Sequence, residues 1–411
     1  MSRVCVVGLG YVGLPTAVTL ASRGHQVIGC DIDPTVLAKL RTGAAHFREP
    51  ELDMLLAAAL ATGALRVQAE PDVADYHIIA VPTPLNAARG AELGHVDAAL
   101  ASLAPVLRDG DTLVLESTVP VGTTQRLAAT LARLRPDLHR PGQGAGRVHL
   151  AHCPERVLPG RMLAEIVAND RIIGGLTLAC AQRAAALYAS FSTGAALLTD
   201  ARTAELVKLL ENAFRDVNIA FANEAASICA RHGIDPWQAI ALANRHPRVQ
   251  VLRPGPGVGE HCIAVDPWFL VEGAPEEARL IRLAREVNDA RPAAVAAQVQ
   301  AAARALGEGA VACLGLSYKP DVDDLRGSPA LAVVTQLARA GLQVLVVEPM
   351  LSALPPCLAS MPQVTLLPLA DALAEARVVA ILVAHRAFHG LDAAALKDHA
   401  VVDTVGLLAA P

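Results

Sequence analysis

The stretch RVCVVGLGYVGLPTAVTLASRGHQVIGCDID (3–33) restricts the fold of this chain more than any other feature. An apolar run of strand length, Val4 to Val7, breaks at Gly8-Leu9-Gly10-Tyr11-Val12-Gly13. Helical spacing follows through Val18 and Leu20 to Gly24, and a second apolar run, Val27 to Cys30, ends at Asp31. Strand, glycine turn, helix, strand and acid in this register predict a dinucleotide-binding βαβ unit. Gly8 permits the tight turn, Gly10 lets the backbone approach a pyrophosphate, and Gly13 lets helix and strand pack closely. Asp31 stands 18 residues past Gly13, where a carboxylate accepts hydrogen bonds from an adenosine ribose. The same charge repels a 2′-phosphate, so the cofactor expected is NAD and not NADP.

Val4 to Ala21 is nearly all apolar behind Arg3, as a signal sequence or membrane anchor would be. Gly8, Gly10, Gly13 and Pro15 speak against a spanning helix, and the βαβ reading accounts for them. Hydrophobic residues form 53% of the 411 and charged residues 18%, which predicts a packed globular protein of two or three domains. A net charge of −5 with scattered Arg and Lys argues against a nucleic-acid surface. Eight cysteines lie far apart without a C-x-x-C pair, so neither a metal site nor a disulfide framework is expected. A reducing cytoplasm is the natural location.

The α/β alternation continues with strands opening HIIAVPTP (77–84), DTLVLESTVPVGTT (111–124) and VHLAHCPERVLPG (148–160). Polar residues just past the carboxyl ends of parallel strands line the ligand crevice of such a sheet. Thr83, Ser117, Thr118, Glu155 and Arg156 hold those positions. Capping of the next helix is the alternative for Ser117 and Thr118. From Asp200 to His232 no Pro or Gly interrupts a helical pattern, long enough to serve as a domain spine and dimer surface. Lys208 and Asn212 share a face of that helix, in isolation a solvated stripe. Leu206, Leu209, Leu210, Ala213, Phe214 and Val217 can face a core.

GPGVGEHCIAVDPWF (255–269) by itself reads as a connection between helices that carries a partly buried thiol, Cys262. After Arg291-Pro292 and a short helix, a second α/β unit is expected, with AVACLGLSYKPDVDDLRGSP (310–329) as strand, loop and helix start and further strands at 342–347, 378–383 and 400–404. Only Gly315 remains there of a glycine fingerprint, so a second dinucleotide is not expected in the same manner.

Taken together, the glycine turn, ESTVPVGTT, CPERVLPG, AELVKLLENAFRDVNIAFANE, the Cys262 loop and GLSYKPDVDDLRGSP resemble, in order, the UDP-glucose/GDP-mannose dehydrogenase family along essentially the whole chain. CPERVLPG, ENAFRDVNIAFANE, ANRHPRVQVLRPGPGVG and HCIAVDPWFL look most like the branch acting on UDP-N-acetyl-D-mannosamine. The resemblance implies two Rossmann-like doubly wound α/β domains joined by a central long-helix domain, as 1–198 (NAD-binding), 199–298 (dimerisation and catalysis) and 299–411 (UDP-sugar-binding). It further implies a homodimer, no metal, no membrane partner, and four-electron oxidation of a sugar C6 hydroxyl to the acid with two NAD⁺.

In that chemistry a thiol traps the aldehyde, and the resemblance gives this role to Cys262. Lys208 and Asn212 would stabilise the developing oxyanion. Asp266 would order or deprotonate the hydrolytic water, with Thr118 and Glu155 contributing. Gly8, Gly10, Tyr11, Val12, Gly13, Asp31, Thr83, Ser117, Thr118 and Arg326 would hold the cofactor. Glu155, Arg156, Lys208, Asn212, Gly259 and Lys319 would hold the substrate, and Arg248 would enter the neighbouring subunit's site. Relatives usually carry Gly-Gly where this chain has Gly259-Glu260, and often a basic residue where it has Val405. UDP-N-acetylglucosamine or UDP-glucose oxidation on the same scaffold, or a weakened binding homologue, are the alternatives that Glu260 raises.

Overall fold

The computed structural model describes residues 1–138, 147–259, 262–307, 309–391 and 394–408. Glu260 therefore lies outside the described residues. The chain divides into two compact units, Met1–Glu211 and Asn212–Pro411.

In the first unit β1 (Arg3–Val7), β2 (Gln26–Cys30), β3 (Leu65–Gln68), β4 (Tyr76–Ile79), β5 (Thr112–Leu115), β6 (His149–His152), β7 (Arg171–Gly175) and β8 (Ala196–Asp200) form one sheet. Its order is β3-β2-β1-β4-β5-β6-β7-β8, parallel except between β6 and β7. The strand order reverses between β1 and β4, the topological switch point where open α/β sheets bind ligands. Side chains alternate across the strands, as pleating requires. Val4 and Val6 join a core beneath the helices Gly13–Ser22, Leu52–Ala61 and Leu178–Tyr188. Cys5 and Val7 join another beneath Gly94–Leu103 and Thr123–Leu134. The apolar stretch that imitates an anchor is thus a core strand and a buried helix. Among the described residues no helix is long and apolar enough to cross a membrane.

The second unit repeats the plan with β9 (Ala310–Leu314), β10 (Val344–Val347), β11 (Val364–Leu366), β12 (Ala376–Ile381) and β13 (Ala400–Asp403). Their order is β11-β10-β9-β12-β13, all parallel. The likeness extends to single hydrogen bonds. Gly8 N donates to Cys30 O at 2.8 Å and Gly315 N to Val347 O at 2.8 Å, with φ of +93° and +94°. Leu9 N donates to Asp31 and Leu316 N to Glu348, the acid that ends the second strand of each sheet. Glu348 is spent inside its domain: it also accepts from Ser317 N at 3.2 Å and pairs with buried His385 at 3.2 Å.

One continuous helix, Ala201–His232, passes the boundary between the units. Within the second unit its Asp216 accepts from Arg285 at 2.6 Å and from Asn288 at 2.9 Å, both on the helix Arg279–Ala305. That helix differs from the short one expected after Arg291-Pro292, because it runs straight through Pro292. The proline forfeits a helical N–H. Packing compensates: a Cβ on Gly257 would come within 3.1 Å of the Pro292 ring.

Candidate active site

At the switch point the glycine turn is built as its spacing predicts. A Cβ on Gly8 would lie 2.5 Å from Ala80 O, and one on Gly13 only 1.9 Å from Gly8 O, so neither position admits a side chain. Gly10 is different: a Cβ there would meet no protein atom within 4 Å, leaving the open space that a phosphate's close approach requires. Val12 and Gly13 begin a helix whose N-terminus has no side-chain cap and no acid in its first turn. Its positive end is therefore available to an anion. Tyr11 stacks on Phe47 at 4.1 Å. Asp31 braces the turn by accepting from Leu9 N at 2.9 Å, and its other oxygen accepts from Asp33 N at 2.9 Å. These residues fit a dinucleotide with its pyrophosphate at Gly10 and its adenosine ribose at Asp31.

Beyond β4 and β5, Thr83 Oγ1 donates to Thr118 O at 2.6 Å, and Ser117 Oγ donates to Val81 O at 2.7 Å. These bonds tie the two crevice loops together. Neither Ser117 nor Thr118 caps the next helix, whose N-cap is Gly122. That helix end is served instead by Glu205, a residue the sequence did not mark. Its buried carboxylate accepts from Gly122 N at 2.6 Å, Thr124 N at 2.7 Å and Thr124 Oγ1 at 2.6 Å.

Glu155 and Arg156 follow β6 and part ways. Glu155 is 9% exposed, accepts from Arg156 N at 2.6 Å, and keeps its Oε2 without a hydrogen-bond partner. Arg156 is turned into the protein, pairing with Glu211 at 2.6 Å and donating to Asp170 O at 3.0 Å. Lys208 is buried, unlike a residue of a solvated stripe.

In the second unit two expected site residues meet. Asn212 Nδ2 donates to Asp266 Oδ2 at 2.5 Å, and Asp266 is 3% exposed. Asp266 opens the helix Asp266–Gly273, and its N–H donates to Cys262 O at 2.9 Å. The turn thus puts the cysteine four residues ahead of the helix, whose first turn begins with Asp266. The Cys262 thiol is exposed and not partly buried, because the turn carries it out ahead of the helix.

Upstream, Asn223 and Arg291 hold the loop by its backbone. Gly255 N donates to Asn223 Oδ1 at 2.9 Å, and Arg291 Nε donates to Gly255 O at 3.0 Å. Neither residue was marked by the sequence, since helical polar residues pair with nothing until the fold is known. Gly259 is hemmed in: a Cβ there would lie 2.7 Å from Tyr318 Cβ. Lys319 holds its ammonium 5.9 Å from the Tyr318 ring, Arg326 pairs with Asp324 at 2.6 Å, and Arg248 is exposed.

Three models of the UDP-glucose/GDP-mannose dehydrogenase family match in sequence: the NAD binding domain at 2–192, the central domain at 202–290 and the UDP binding domain at 312–410. The chain is 52% identical to the NDP-N-acetyl-D-galactosaminuronic acid dehydrogenase of Ralstonia nicotianae, covering 99% of this chain and 96% of that one. It is 47% identical to the UDP-N-acetyl-D-mannosamine dehydrogenase of Escherichia coli K12, covering 99% of each. The UDP-D-ManNAc dehydrogenase structure from Pyrococcus horikoshii superposes with a TM-score of 0.89 at 38% identity, over 100% of this chain and 96% of that one. With the glycine turn, its acid and the cysteine turn all in place, the chain belongs to the UDP-glucose/GDP-mannose dehydrogenase family and is an NAD-dependent oxidoreductase of nucleotide sugars.

Proposed function

We propose that the protein oxidises the C6 hydroxyl of UDP-N-acetyl-D-mannosamine to the carboxylate, with Cys262 as the covalent residue. The observation that carries this reading is the pairing of Asn212 with Asp266 one turn beyond an exposed Cys262. NAD⁺, bound at Gly8–Gly13 and Asp31, supplies the hydride acceptor in both oxidations. The Cys262 sulfur adds to the aldehyde carbon to give a thiohemiacetal, and oxidation of that adduct leaves a thioester. Water then cleaves the thioester, releasing the acid and restoring the thiol. Lys208 and Asn212 stabilise the oxygen as it gains charge, Asp266 holds the attacking water, and Thr118 and Glu155 complete the polar lining.

In the same reading Gly259 and Lys319 serve the nucleotide sugar, Arg326 the cofactor, and Arg248 the neighbouring subunit's site. Arg156 acts by holding the Glu155 loop to Glu211. The functional regions are 1–198, 199–298 and 299–411. The active form is a homodimer joined along the long helix, where Phe214, Phe221 and Ile228 recur every seventh residue with 72%, 61% and 53% exposure.

The 52% identity to the Ralstonia enzyme supports a second reading, in which the substrate carries N-acetyl-D-galactosamine instead. Mass spectrometry of the products after incubation with NAD⁺ and each UDP-N-acetylhexosamine separates the two. The proposal expects a uronate from the manno sugar at the highest rate. A uronate from the galacto sugar alone would replace it.

A further inference from the structure

Behind Glu155 the first unit buries a charge cluster that no step above uses. Arg171, on β7, is 7% exposed in its side chain. Its guanidinium lies 4.7 Å over the Tyr188 ring and 5.1 Å over that of Phe191, and it donates to Ile166 O at 2.9 Å. Nη1 stands 3.9 Å from Glu155 Oε2 and 3.9 Å from Cys153 Sγ. A second buried carboxyl, Glu116 at the end of β5, faces the same space. Glu116 accepts from Tyr188 Oη at 2.6 Å and from Thr16 Oγ1 at 3.2 Å.

We propose that Arg171 is a positioning residue, a buried guanidinium that fixes the orientation of Glu155 from behind. Glu155 Oε2 has no hydrogen-bond partner and is turned toward this cation. The aromatic rings hold the guanidinium plane without taking its hydrogen bonds, so its charge acts on the carboxylates. Burial works against that charge, but Cys153, Glu155, Tyr188 and Glu116 around it hold Arg171 above the ordinary arginine range. Glu116 divides the cation less than a second carboxylate would. Burial, and the charge of Glu155 after it, push Glu116 up to about 7 against the pull of Arg171, Tyr188 and Thr16. Without Arg171, the two neighbouring buried carboxyls would lose the cation that faces them both.

The inference rests on the proposed role of Glu155, and the test separates the two. Arg171→Met, Arg171→Lys, Arg171→Met with Glu116→Gln, and Glu155→Gln are compared by kcat, KM and the pH profile of kcat. Arg171→Met should lower kcat by at least about tenfold, with KM for sugar and NAD⁺ within about threefold. Its acid limb should move up by about one pH unit. Arg171→Lys keeps a cation and should recover part of the loss. Adding Glu116→Gln to Arg171→Met should raise kcat again, because it removes the competing carboxyl; a cavity or packing defect would not be rescued this way. If Arg171→Met does not fold, the neutral but polar Arg171→Gln decides, since an unchanged kcat and acid limb in that variant overturn the proposal. Loss of activity in Glu155→Gln with none in the Arg171 variants also overturns it. Full activity in Glu155→Gln would overturn the role of Glu155 on which it stands.

Discussion

Glycine and aspartate were legible one residue at a time, because each is required by local geometry. A Cβ at Gly8 or Gly13 collides with backbone from its own turn or the next strand, and spacing alone betrays such positions. The buried ionisable residues were not legible. Glu116, Glu205 and Arg171 find their partners across the fold, and in sequence they pass for ordinary polar neighbours of strands and helices. Glu116 has a measurable consequence of its own. Its folded-state value of about 7 lies above the ordinary 4.5, so the stability it contributes is complete below pH 4.5 and is lost as pH rises through 7. Glutamine does not ionise, and its Oε1 can still accept from Tyr188 while its Nε2 donates to the Thr16 hydroxyl. Glu116→Gln should therefore gain stability relative to wild type by roughly 3 kcal/mol between pH 4.5 and pH 8 in urea unfolding. A difference that stays constant across that range would show that Glu116 ionises freely.

At the scale of elements, the uninterrupted long helix was read correctly, while one long helix and several strands were missed. The helix expected over 200–232 is found at Ala201–His232. β3, β7, β8 and β11 were not expected. β11 has three residues, too few for a period, and β8 is an edge strand whose Leu197 and Leu198 are 51% and 40% exposed. The short helix expected after Arg291-Pro292 is instead the second half of Arg279–Ala305, which continues through the proline despite the lost N–H. The long helix also closes another element, since its Glu205 fills the N-terminus of the helix Thr123–Leu134. Glu205→Ala should cost about 1–3 kcal/mol in chemical denaturation, as a buried cap and three hydrogen-bond donors are left unsatisfied. A loss below about 0.5 kcal/mol would mean that water replaces the carboxylate there.

For the whole molecule, the order of motifs along the chain carried the reading further than any single residue. Two doubly wound sheets were expected and two are present, each with its own glycine turn and its own acid. The second acid, Glu348, was overlooked because it faces His385 and backbone instead of an open crevice. In the proposed homodimer the apolar stripe on the long helix forms the contact. Phe221→Glu should convert the protein to a monomer by light scattering and abolish turnover, since Arg248 would no longer reach a neighbouring site. A variant that remains dimeric would place the interface elsewhere. The central claim is a four-electron oxidation held on one thiol, and the number of NADH formed per UDP-sugar consumed tests it most directly. Two NADH with release of the uronate is the predicted result; one NADH with release of the aldehyde would contradict it.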